Sequence, residues 1–105
     1  MRRYSASSLT ERVTIQKPTE TVGDDGVVRT AWSDVATVWA AVRSETGTER
    51  LRAGRVEMRQ AHLVGIRYRD GISGSYRLLW RGRTLHIQGV ESDRTWTELL
   101  CVEAD

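Results

Sequence analysis

The sequence predicts an all-β fold, a small antiparallel β-barrel of about six strands with a long protruding loop. Three features predict it. Residues 61–102 alternate side chains with period two. Asp24-Asp25-Gly26, Asp70-Gly71 and Gly82 stand where tight turns between strands need them. One stretch, Ser44–Gln60, breaks the rhythm with two glycines, four arginines, three glutamates and little apolar pattern, and long loops of that kind tend to be functional or disordered.

Residues 1–8 are polar and small, an expected flexible arm that orders on contact with a partner. Arg12–Lys17 is the first strand, with Val13 and Ile15 inward. Pro18 is expected to end it, having no N–H to give to a ladder. Residues 22–27 form a hairpin loop, Val27–Trp32 returns as a second strand, Ser33-Asp34 punctuates, and Val35–Arg43 makes a third. Helix competes for this third segment because alanine is a good helix former. Its β-branched valines, and Val38, Ala40 and Val42 alternating against Thr37, Trp39 and Ala41, favour strand.

In Ala61–Arg69, His62, Val64, Ile66 and Tyr68 share one face, and Leu63, Gly65, Arg67 and Arg69 the other. Tyr76, Leu78 and Trp80 alternate with Arg77, Leu79 and Arg81 before Gly82, a residue tolerant of positive φ. Leu85–Val90 and Thr95–Val102 repeat the pattern. Pairing of the terminal strands is expected to close the barrel and so remove its edges. Trp32, Trp39 and Trp80 are expected in the core; Trp96, between two threonines, is less firmly placed.

At 105 residues the chain reads as the arm 1–8 followed by one domain, 9–105. The single Cys101 excludes an internal disulfide, fits a reducing cytosol and lies in an apolar strand, as a small buried hydrophobe would. No apolar run reaches the ~20 residues that span a bilayer, and MRRYSASSL lacks the long apolar region of a signal peptide. Net charge is +2, and Lys17 is the lone lysine. Arginine's planar fork suits carboxylates and phosphates, although a GC-rich genome would enrich arginine whatever the function. From Arg59 to Arg83 six arginines face one acid, Asp70. Such separation suits a charged ring surface or a DNA-facing wall, with a merely solvated strand face as the ordinary alternative.

Catalytic signatures are missing from the sequence. His62 and His86 lie in different strands and, with one cysteine, give no metal-ligand spacing. Asp24-Asp25-Gly26 lacks the calcium-loop spacing, and no nucleophile-elbow, Walker or dinucleotide motif occurs. Glu91 and Asp93, two apart in a turn, do not make a carboxylate pair for catalysis. The expectation is a non-enzyme with no cofactor and no metal.

The order HLVGIRYRDGI, RGRTLHIQGV and LLCVE, with the opening LTERVTIQKPTETVGDDGVVRTAWSDVATVWAAV, resembles the head-tail joining (head-closure, or stopper) proteins of long-tailed phages and gene transfer agents. The resemblance spans roughly Leu9 to Glu103, and its specificity lies in the order and spacing of motifs that are individually weak. It implies a virion protein, made in the bacterial host cytoplasm, that forms a homo-oligomeric ring of six or twelve copies. Portal or adaptor proteins would sit above, tail-terminator or tail proteins below, and packaged double-stranded DNA in the channel. The resemblance further implies that Ser44–Arg59 projects toward the channel, making Arg50, Arg52, Arg55 and Arg59 candidate DNA-facing residues. Candidate subunit or partner contacts are Arg2, Arg3, Arg67, Arg69, Arg81 and Arg83.

Two other readings stay open. A tail-terminator protein is also a small ring-forming β-rich protein. A free nucleic-acid-binding barrel would use Arg67, Tyr68, Arg69, Tyr76 and Trp80 as a stacking face.

Overall fold

A computed structural model describes the backbone of residues 4–52 and 55–104, with side chains for 4–44 and 60–104. Six antiparallel strands form one sheet: β1 (Glu11–Val22), β2 (Val28–Arg52), β3 (Arg55–Arg67), β4 (Arg77–Trp80), β5 (Arg83–Ser92) and β6 (Trp96–Glu103). A 3-10 turn, Ala6–Ser8, precedes them. The strand order β1-β2-β3-β6-β5-β4 closes on itself because β4 also pairs with β1, Thr14 lying opposite Leu79. The expected all-β class is therefore met, but closure is not by the terminal strands. β6 lies between β3 and β5, and β1 finds its closing partner in the short β4.

Every strand supplies the core, with Val13 and Ile15, Ala40, Val64 and Ile66, Leu78 and Trp80, Leu85 and Ile87, and Leu99 and Cys101 coming from β1 to β6 in turn. Closure gives each strand an inner and an outer face, so period-two alternation becomes inside and outside. That rule corrects two of the expected core tryptophans. Only Trp80 is buried; Trp39 is 52% exposed, because the alternation that sends Ala40 inward sends Trp39 outward. Trp32 is half-buried, with the Arg77 guanidinium 4.1 Å from its ring centre.

Two fully buried polar side chains are partnered, as burial demands. His62 Nδ1 lies 2.8 Å from Ser44 Oγ and its Nε2 3.2 Å from Glu103 Oε2. Thr97 Oγ1 accepts the Arg69 N–H at 3.1 Å and lies 3.0 Å from Ser92 Oγ. Burial pushes the Cys101 thiol up to about 12.

The β4–β5 connection is the two-residue turn Arg81-Gly82, with Trp80 opposite Arg83 and φ of 50° and 74° at the two central residues. Positive φ at both positions is the type I′ geometry, which suits the twist of the flanking strands. Gly82 accommodates it freely; Arg81 is the one non-glycine residue with positive φ among the described residues.

Strand lengths differ from the sequence reading. β1 runs through Pro18 to Val22, with Pro18 opposite Trp32. β4 reaches β1 only as far as Gln16, so Pro18 lies where the strand has a single neighbour, a place that tolerates proline. Ser33-Asp34 does not break the chain, and the expected second and third strands are one β2. Ile15 lies opposite Ala36 and Gln16 opposite Asp34, leaving Val35 as a bulge.

The expected loop 44–59 is likewise a paired ribbon. Thr48 lies opposite Arg59, Arg50 opposite Glu57, Leu51 opposite Val56 and Arg52 opposite Arg55, after a slip between Glu45 and Thr48. β6 pairs β3 only from Ala61 to Arg67, so beyond Ala61 β2 and β3 have no third strand among the described residues. A two-stranded ribbon outside a barrel needs no core face, which is why its sequence lacks the apolar alternation. The molecule is accordingly elongated, 50 × 37 × 24 Å with a radius of gyration of 15.3 Å, against ~13 Å for a compact chain of this length.

Candidate functional site

β2 carries two arms. Ala40 pairs with both Glu11 of β1 and Ile66 of β3. Below it β2 pairs with β1, above it with β3. Beyond Gln16 and Asp34 the β1–β2 arm has no third strand among the described residues, and it ends at residues 23–27. At its tip Val22 is 71%, Val27 49% and Val28 57% exposed. The Gly26 N–H donates to the Gly23 carbonyl at 2.9 Å, and Arg29 holds Asp25 at 2.8 Å, keeping that carboxyl below its ordinary range. The other arm is the β2–β3 ribbon.

The register of that ribbon places Arg50, Arg52, Arg55 and Arg59 at positions of one parity, together with Thr48 and Glu57; Glu49, Leu51, Val56 and Met58 occupy the other. The four candidate DNA-facing arginines are thus gathered on one projecting element. Arg2 and Arg3 lie outside the described residues.

The remaining candidate arginines fall into two groups. Arg81 and Arg83 flank Gly82 and are engaged within the chain: Arg81 Nε is 2.7 Å from Glu11 Oε1, and Arg83 Nε is 3.7 Å from Glu103 Oε1. Glu11 also accepts the Trp80 indole N–H at 2.9 Å. That hydrogen bond and those from Arg81 hold the Glu11 carboxyl below its ordinary value. Arg67 is the last residue of β3 and Arg69 lies just beyond it. The Arg67 guanidinium stands 5.4 Å from the Trp96 ring centre, and neither arginine has an acidic partner among the described residues.

Beside this second group lies a groove of about 300 Å³, lined by Leu9, Val38, Trp39, Ile66, Arg67, Tyr68 and Arg69. It forms where β3 ends against β2. Trp39 and Tyr68, both half exposed, form its aromatic wall, and the Arg12 guanidinium lies 4.8 Å from the Trp39 ring centre. The stacking face considered for a free nucleic-acid binder is split by the fold: Trp80 is buried and Tyr76 packs against the core, leaving Tyr68 exposed.

Two features escaped the sequence reading. The Glu11–Trp80–Arg81 cluster depends on the β1–β4 pairing, for which the sequence carries no signal. Tyr4 packs on the outer face of the barrel, its ring 5.7 Å from that of Trp96 and its hydroxyl donating to Glu98. It occupies the space over Gly65, and an isolated glycine inside a strand is the mark of such a close approach.

Two projecting arms and an exposed aromatic groove are thus the surface features that stand apart from the barrel core. The chain belongs to the phage head completion protein family, whose model matches residues 4–104. It is a virion protein with a role in closing the head. Solved structures share its fold, two of them as follows. Protein SF1141 from Shigella flexneri 2a is 28% identical with a TM-score of 0.67, over 91% of this chain and 93% of that one. A chain in the virion of a native gene transfer agent particle is 17% identical with a TM-score of 0.66, over 91% and 96%. No curated protein matches.

Proposed function

We propose that copies of this chain assemble as a ring beneath the portal and adaptor of a filled head, retain the packaged DNA and offer a docking face to the tail. The observation that carries this reading is the β2–β3 ribbon, a projecting element with four arginines at positions of one parity. Ribbons directed at a channel narrow it sterically, and guanidinium groups there pair with phosphates. Three glutamates leave 44–59 at +1 per copy (four arginines less three acids). A near-neutral plug restrains a duplex without gripping it, so the DNA can leave later. Weak contacts repeated around a ring sum to a stable assembly, even where one contact alone is marginal.

The test is a particle lacking this protein. Filled heads should form, leak DNA and fail to take tails, and wild-type protein should restore both properties. Heads that keep their DNA and join tails without it would contradict the reading.

A further inference from the structure

The tip of the β1–β2 arm and the Trp39–Tyr68 groove are complementary. The tip is an apolar knob, Val22, Val27 and Val28, bearing Asp24, which has no ion-pair partner among the described residues. The groove is an apolar and aromatic slot edged by Arg67 and Arg69, which likewise have none. Contiguous exposed apolar surface of this kind marks a contact site. One chain cannot make the contact with itself. Trp39 and Val28 lie on the same strand eleven residues apart, roughly 36 Å at ~3.3 Å per residue.

We propose that the tip of one copy seats in the groove of the next. The surfaces differ, so the contact is heterologous, and repetition of such a contact closes a ring if the rotation between copies allows. The valines desolvate against Trp39, Val38 and Tyr68, and Asp24 meets Arg67 and Arg69. This names the subunit interface of the ring proposed above and rests on that reading.

Cross-linking between two single-cysteine variants tests it, since native Cys101 is buried. Thr21→Cys marks the tip and Asp70→Cys the groove, leaving Asp24, Arg67 and Arg69 intact; Gln88→Cys, an exposed site on β5, which borders neither β2 nor β3, is the control. With a short bis-maleimide, the tip and groove variants mixed together should yield at least about ten-fold more heterodimer than tip and control, and a chain carrying both cysteines should give a ladder beyond the dimer. Adding Val27→Ser and Val28→Ser to the tip variant should cut the yield by about ten-fold or more. Asp24→Arg should lower it too, with recovery when the groove partner carries Arg69→Glu. A yield equal to the control at every concentration, or one insensitive to the valines, would overturn the interface. Leaky heads in the deletion would leave the head-closure reading standing in that case; tight heads with specific cross-links would sink the function and keep the contact.

Discussion

Tyr4 fills the space that a side chain at Gly65 would need: a Cβ built there overlaps the tyrosine ring. The ring is tilted against Trp96 and its hydroxyl reaches Glu98. A glycine in β3 therefore serves as the seat for the segment preceding β1. Gly65→Ala should expel Tyr4 and cost about 1–2 kcal/mol, and Tyr4→Ala should cost a similar amount. Because both changes undo one contact, the double variant should cost clearly less than the sum. Chemical denaturation of the three proteins measures this, and additive losses would show the two residues to be independent.

The tryptophans should separate sharply in stability. Trp80 is 7% exposed, donates to Glu11 and meets His62 edge-on with ring centres 5.2 Å apart. Trp80→Ala should cost about 3–5 kcal/mol, a large share of a small domain's stability. Trp39→Ala removes a half-exposed ring and should cost about 1 kcal/mol or less. Thermal melts should rank the two accordingly, and equal losses would place Trp39 in the core after all.

That contrast shows where the sequence was legible. Val64 and Ile66, Leu78 and Trp80, Leu85 and Ile87, and Leu99 and Cys101 each mark an inner face, so the four strands after residue 60 could be read from alternation. The size of Trp39 suggests the core, but its parity against Ala40 puts it outside. Alternation fails beyond Ala61, where β2 and β3 pair away from the closed sheet and no core face is required, and where a bulge at Val35 changes the phase. Closure through β1 and β4 joins residues more than sixty positions apart and leaves no local trace. The ribbon arginines were found as a group, whereas their shared parity required the register.

Acid should weaken the closure of the barrel. Glu11 sits below its ordinary value of 4.5 because the Trp80 N–H and Arg81 favour its charged form. A depressed carboxylate contributes stability that is fully present above its unfolded pKa and is lost as pH falls through its folded pKa. Glu11→Gln should therefore flatten the fall in melting temperature below about pH 4.5 while lowering stability at neutral pH. An unchanged acid limb in the variant would mean that other carboxyls, such as Asp25 and Asp93, dominate it.

Cys101 should be chemically silent in the folded protein. Its thiol is buried and pushed up to about 12, so almost no thiolate exists at neutral pH. Alkylation by iodoacetamide should proceed only as fast as the barrel opens, and denaturant should release full reactivity. Rapid labelling under native conditions would contradict the burial of β6.

The β2–β3 ribbon can be removed without touching the barrel core. Replacing 46–60 by Asn-Gly would join Glu45 to Ala61 through a two-residue turn and would leave the contact of Ser44 with the buried His62 in place. The barrel should stay folded, with a shift in Tm of no more than about 4–8 °C, the equivalent of about 1 kcal/mol in a domain of this size. The measurement is the DNA content of filled heads that carry this shortened protein before tails attach. The shortened protein should be incorporated and the heads should lose their DNA; heads that carry it and stay full would contradict the plug.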